Sequence, residues 1–221
     1  ALAEERPGAA VSLEDAEAAV DARVLRYGED EHYDVVSAFI KSMRGSDPDA
    51  ALYWLARMLV AGEDVRFVAR RMVIFASEDV GNADPRALQV ALAVKDAVHF
   101  VGLPEGRIPL AQGATYLATA PKSNASYAAL NAATAEVRAS GTLPVPLHLR
   151  NAPTALMKAL DYGKGYQYAH DDPEGVSMMD CLPPTLAGRR YYRPTERGFE
   201  SQIVKRLAVW AARRKPAEDP S

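Results

Sequence analysis

What the chain lacks narrows it first. One cysteine, Cys181, in 221 residues excludes an internal disulfide framework and any cysteine-only metal site. Glycines number only 14, and none builds a phosphate cradle. The single Gly-Lys pair, Gly163-Lys164, has neither the upstream glycine nor the following Ser/Thr that a nucleotide loop needs. No G-x-G-x-x-G turn and no G-x-S-x-G elbow occurs. The histidines, His32, His99, His148 and His170, stand at no metal-binding helical spacing, so no catalytic or metal motif is written locally. No apolar run approaches membrane-span length, and Ala1–Ala10 lacks the basic-then-apolar order of an export signal. A soluble cytoplasmic protein without a membrane partner is expected. The formal net charge of -3 gives no bulk reason to expect nucleic acid either.

What is present points to helices. Alanine, the best helix former, occurs 40 times, while aromatics make up 8% and β-branched runs are scarce. With 48% apolar residues the chain can bury a sizeable core, in one large all-α domain or two small ones. Ser12 and Asp15 form a partial capping box, and Leu13, Ala16, Val20 and Val24 predict a helix to about Tyr27, ended by Gly28. A second helix from about Glu31 carries Tyr33, Val36, Ile40 and Met43 and stops at Gly45.

Asp47-Pro48 opens a third helix, since aspartate caps well and proline suits the first helical position. Its apolar residues from Leu52 to Val60 surround the axis, which predicts a buried helix ended by Gly62. Asp64 caps a fourth with the stripe Val65, Val68, Ala69, Met72, Val73 and Ala76. Asp84-Pro85 repeats the opening for a fifth, and Pro104 starts a sixth to about Ala118. This helix–glycine–cap rhythm predicts an antiparallel helical bundle.

Residues 122–140 read as a helix with two seams. Ala125, Ala128, Ala132, Ala135 and Ala139 alternate spacings of three and four, a candidate packing or oligomer seam of small side chains. Tyr127, Leu130, Thr134 and Val137 lie about 200° round the axis, so the helix is expected to sit between two layers. Beyond Gly141, residues 142–151 read as extended and Ala152–Leu160 as a short helix. A long proline- and glycine-rich irregular segment over 161–194 precedes a last helix capped by Thr195 and running to about Arg214. Residues 215–221 are expected to be disordered.

Charge is uneven. Residues 180–215 hold nine basic against three acidic side chains, and residues 1–34 hold ten acids against three arginines. Opposite ends of opposite sign suit subunit or domain attraction, or a basic face for DNA, as well as ordinary solvated helices. Three clusters invite a chemical reading. Arg44-Gly-Ser-Asp-Pro-Asp49 is explained as turn and cap except for Arg44. Ser77-Glu78-Asp79 places acids at a helix C-terminus, where the macrodipole disfavours them, so a structural partner is expected, an arginine or the N-terminus of a neighbouring helix. In the third, His148 and Arg150 would project to one side of an extended piece. Arg150 and Lys164 suit phosphate or carboxylate, and Tyr162, Tyr166 and Tyr168 suit base stacking. The competing reading has Arg150 and Asn151 tying irregular backbone together. Arg189, Arg190 and Arg193 join Arg150, Lys164 and Tyr166 as candidate partner or DNA contacts.

Several strings together resemble the C-terminal part of the bacterial RarA/MgsA ATPases, relatives of the Werner-helicase-interacting protein. They are His32-Tyr-Asp34, Arg44-Gly-Ser-Asp-Pro-Asp-Ala-Ala-Leu-Tyr-Trp-Leu55, Ser77-Glu-Asp-Val-Gly81, Ala120-Pro-Lys-Ser-Asn124, Pro144-Val-Pro-Leu-His-Leu-Arg-Asn-Ala152 and Gly163-Lys-Gly-Tyr166. The resemblance covers about residues 12–210. It implies a fold like the clamp-loader collar, from an AAA+ protein acting in recombination and repair at stalled replication forks. It also implies a homotetramer, with DNA and single-strand-binding protein as partners of the parent, and a nucleoid-associated location. Residues 1–45 would be the remnant of the AAA+ lid, and 46–214 an all-α oligomerisation domain. The sequence has no Walker A or Walker B motif, so the chain is expected to be a non-catalytic fragment. ATP and Mg would belong to the absent ATPase core, and no catalytic residue carries over. A nucleic-acid-binding module using the basic C-terminal segment is the alternative.

Overall fold

A computed structural model describes residues 29–214, and these contain α-helices and short helical turns without any strand. The predicted helix over 13–27 and the expected disorder of 215–221 lie outside the described residues. The chain divides into two compact units, which adjoin in sequence between Lys122 and Ser123.

Unit 1 holds α1 (Glu29–Arg44), α2 (Pro48–Val60), α3 (Val65–Phe75), α4 (Arg86–Val101) and α5 (Arg107–Thr119). The local signals work as their chemistry requires. Asp47 accepts from the Ala50 N–H at 2.9 Å with Pro48 at the first helical position, and Asp64 accepts from the Arg66 N–H at 2.9 Å. Asp84 receives the Arg86 N–H at 3.1 Å, so α4 starts after Pro85. Gly62 and Gly102 end α2 and α4 at positive φ, where side chains are disfavoured. α3 does not stop cleanly. It passes into a π-helical turn, Ala76–Val80, and then a 3-10 turn, Gly81–Ala83.

The core lies wholly within unit 1. α1 packs on α2, α2 on α5, and α3, α4 and α5 on one another. Phe39, Met43, Met58, Met72, Phe75, Leu110 and Leu117 are fully enclosed. The stripes of α3 and α4 face inward as their period demands, with Val68, Ala69, Met72, Ala87, Ala91, Val94 and Val98 buried. Gly113 lets three helices meet: a Cβ there would lie 2.5 Å from Met72 Cε and 2.8 Å from Val94 Cγ2. α2 corrects one expectation, because Ala51, Leu55 and Met58 are buried while Tyr53 and Val60 are exposed. Apolar character all round the helix does not bring burial all round when neighbours cover only one side.

Unit 2 holds α6 (Ala125–Ser140), α7 (Ala155–Ala159) and α8 (Glu200–Arg214). Short 3-10 turns at Leu147–Leu149, Ala169–Asp171 and Pro184–Leu186 punctuate the irregular stretch between them. Only Ser123, Ala125 and Glu200 are buried among its described residues. Three expectations change. First, 142–151 is not uniformly extended, since Leu149 N–H and Arg150 N–H bond back to the Pro146 and Leu147 carbonyls at 3.0 and 3.1 Å. His148 and Arg150 therefore do not share a strand face. Second, α8 begins at Glu200 rather than just after Thr195, because the Thr195 groups are drawn to the Glu200 carboxylate. Third, no second layer among the described residues covers α6: Ala125 is buried, whereas Ala128, Ala132, Ala135, Ala139, Tyr127, Leu130 and Val137 are exposed.

Candidate functional site

Unit 1 gathers its polar strings into a lock. The Asp79 carboxylate, carried by the π-helical turn, accepts from Arg44 Nε at 2.5 Å and Nη2 at 3.0 Å, the fork-on-fork pairing that suits guanidinium. The acid thus finds the arginine partner its position at a helix end calls for. Lys122 donates to the carbonyls of Ala118 and Ala120 at 2.8 and 2.6 Å, and to Ser46 Oγ at 3.3 Å. It closes the C-terminus of α5 as a cationic cap. Burial holds the Lys122 ammonium below the usual lysine range, against the pull of Asp79. Arg44 and Lys122 both bind protein acceptors here, so the cluster orders the loops at 44–47, 76–83 and 120–122.

Unit 2 has a second lock, around Glu200. Its carboxylate has no exposure. Oε2 accepts from Ser123 Oγ at 2.6 Å and from the Thr195 N–H and Oγ at 2.7 and 2.8 Å, and Oε1 accepts from the Tyr192 hydroxyl at 3.0 Å. This knot ties three separate segments: the start of α6, the 192–195 stretch and the first turn of α8. Sequence reasoning missed Glu200. Its one visible signal was an acid on the apolar stripe of Ile203, Val204 and Leu207.

The candidate contact residues fall into three groups. Arg150 donates from Nε to the Val145 carbonyl at 2.7 Å and from Nη1 to the Tyr162 hydroxyl at 3.2 Å, with its guanidinium 5.1 Å from the Tyr162 ring centre. Lys164 pairs with Asp161 at 2.9 Å, and Tyr166 is exposed. Gly163 N–H bonds to the Leu147 carbonyl at 2.8 Å, so these residues share one folded loop. Their charged groups are turned to its own acceptors. Arg189 leans to Glu136 on α6 at 3.4 Å.

Arg190 and Arg193 form the third group. With Tyr191, Tyr192 and Pro194 they line an open groove of about 1020 Å³ along α8, whose floor is Val204, Leu207, Ala208, Trp210 and Ala211. Arg214 stands at its rim, and among the described residues no carboxylate lines it. The last distinctive surface is α6. Leu130 and Val137 are 67% and 64% exposed beside the alanine seam. Among the described residues no group of acids, histidines and cysteine is arranged to hold a metal, and no helix is long and apolar enough to cross a membrane.

The sequence profile of the MgsA AAA+ ATPase C-terminal family matches residues 45–211. A replication-associated recombination protein A of Coxiella burnetii is 57% identical over 179 residues, which cover 80% of this chain and 41% of that protein. The protein of the same name from Escherichia coli strain K12 is 54% identical over 184 residues, 83% of this chain and 41% of its own length. An ATPase WRNIP1 of Dictyostelium discoideum is 44% identical over 167 residues, 75% of this chain and 19% of its own. The chain spans less than half the length of each of these relatives.

Proposed function

Because the chain belongs to the MgsA AAA+ ATPase C-terminal family, we propose that it is the non-catalytic assembly module of a replication-associated recombination ATPase. The observation that carries this is the poverty of unit 2. Its described residues bury three side chains, yet Leu130, Val137, Val145, Leu147, Leu156 and Leu160 face outward. A unit so exposed is completed by another copy, as in obligate oligomers whose interfaces resemble a core cut in half. The seam at Ala125, Ala128, Ala132, Ala135 and Ala139 supplies a surface on which backbones approach closely. A homotetramer is the expected closed form.

On this reading residues 1–45, which include α1, continue an AAA+ lid, and 46–214 form the oligomerisation domain. ATP and Mg are held by a part of the parent outside this chain, which has no glycine-rich phosphate loop to hold them. The parent would act at stalled forks in the cytoplasm, near the nucleoid, with single-strand-binding protein among its partners. Light scattering tests the assembly. The expected mass is four times the 23.9 kDa of one chain, and Leu130→Glu with Val137→Glu is expected to return it toward one. A mass of one chain at every concentration overturns the proposal. A second reading, DNA contact by the basic C-terminal segment, is favoured by the described lining of the α8 groove, which holds Arg190, Arg193 and Arg214 and no carboxylate.

A further inference from the structure

Five arginines of the C-terminal segment divide into two sets. Arg189 is turned to Glu136, and Arg213 is clasped by Asp172 at 2.9 Å and Glu174 at 2.6 Å. Their neighbours in sequence, Arg190 and Arg214, face the α8 groove together with Arg193, where no acid among the described residues lines the groove. Arg214 spends one hydrogen bond on the Ser177 carbonyl, at 3.4 Å. The surplus of basic residues in this segment is thus sorted by the fold: part is neutralised internally, and part is concentrated on one concave surface.

That surface is not uniformly charged. Between the guanidinium groups lie the half-buried Tyr191, Leu207 and Trp210. A duplex offers a rail of phosphates and hides its base faces, so it leaves such a floor unused. A single strand offers both, phosphates for the rim and π-faces for the floor. An acidic protein segment would satisfy the rim but brings no stacking partner for the aromatic rings.

We infer that the α8 groove is a single-stranded nucleic-acid site, with Arg190, Arg193 and Arg214 on phosphates and Trp210 and Tyr191 against bases. This deepens the DNA-contact reading and rests on it. It is independent of whether the same chain forms the tetramer.

The test uses the whole 221-residue chain with a fluorescein-labelled oligothymidylate, a blunt duplex of equal length and oligoglutamate as competitor. Trp54→Phe leaves Trp210 as the single tryptophan. Binding of the single strand is expected to change Trp210 fluorescence. It is also expected to weaken about 20-fold over a fourfold rise in salt, the response of about three phosphate contacts on a single strand. Arg190→Glu with Arg193→Glu is expected to lose more than about tenfold in affinity, whereas Arg189→Ala leaves affinity unchanged. Neutral Arg190→Gln with Arg193→Gln serves as a milder pair, and circular dichroism and scattering mass check each variant's fold. Equal or tighter duplex binding, silent Trp210 fluorescence, or displacement by oligoglutamate at matched charge overturns the groove assignment. If the duplex alone binds, the broader DNA-contact reading stands; if neither binds at low salt, both fall.

Discussion

Replacing Glu200 with alanine is expected to destabilise unit 2 by about 3–5 kcal/mol, the upper end of single substitutions. The magnitude follows from the four donors that converge on this fully enclosed carboxylate: Ser123 Oγ, the Thr195 N–H, Thr195 Oγ and the Tyr192 hydroxyl. A hydrogen bond to a charged group contributes about 1.5–3 kcal/mol, and each orphaned buried donor costs about 1–3 kcal/mol, so partial relaxation and water entry set the final figure. Glutamine separates shape from charge. Its amide oxygen keeps the Ser123 and Thr195 donors, and its NH2 group meets a Tyr192 hydroxyl that turns to accept. That substitution is expected to cost about 1–2 kcal/mol.

The pH dependence gives an independent readout. Burial pushes the Glu200 carboxyl up, but the donors from Ser123, Thr195 and Tyr192 outweigh it and hold the group below its ordinary 4.5. As pH falls, the unfolded chain therefore takes the proton first. The stabilisation is complete above the unfolded value and fades as pH drops toward the folded one. The glutamine variant should lose this part of the acid slope. Urea unfolding followed by Trp210 fluorescence in the Trp54→Phe chain measures unit 2 alone. Protomer concentration is held fixed, because assembly shifts apparent stability. The reasoning is refuted if alanine leaves the midpoint unchanged, if glutamine costs as much as alanine, or if the acid slope survives in glutamine.

Other perturbations test unit 1. Gly113→Ala sets a methyl against Met72 and Val94; overpacking of about 1–3 kcal/mol exceeds the helix-propensity gain of about 1 kcal/mol, so a lower urea midpoint by Trp54 fluorescence is expected. Asp79→Asn breaks the forked pair with Arg44, and because Arg44 is half-exposed the loss is expected at about 1–2 kcal/mol by the same assay. Tyr116→Phe removes a 2.5 Å hydrogen bond to the Asp84 carboxylate and is expected to cost about 1–2 kcal/mol in thermal or urea unfolding.

Local chemistry was legible in the sequence wherever cause and effect lie within one turn. Asp47 and Asp64 cap as aspartate should, the inward stripes of α3 and α4 follow from their period, and Asp79 needs a compensating partner because of its place at a helix end, though only the fold shows that Arg44 is that partner. The rest depends on distant partners. Lys122 reaches Ser46 across 76 residues, and Ser123 reaches Glu200 across 77, separations at which spacing carries no signal. The start of α8 was misplaced for the same reason: Thr195 looks like a cap until the Glu200 carboxylate is known to hold it. Sequence places Trp210 and Arg214 only on the last helix, because only the fold lays 190–194 alongside α8.

The contrast between the units bears on how unit 2 stands at all. Unit 1 closes a core from Val35 to Ala120 and has the apolar burial to offset the entropy of ordering its chain. Among its described residues unit 2 orders long proline- and glycine-rich segments around three buried residues, two of which, Ser123 and Glu200, are polar. A hydrogen-bonded knot fixes geometry well, but its net stabilisation is small beside the cost of ordering some ninety residues, roughly 1–2 kcal/mol each. On the assembly proposal the difference comes from burying the outward Leu130, Val137, Leu156 and Leu160 against another copy. Folding of unit 2 and assembly are then one equilibrium. Its unfolding midpoint should rise with chain concentration while that of unit 1 stays put. Concentration-independent unfolding of both units would show that the exposed face of α6 has some other role.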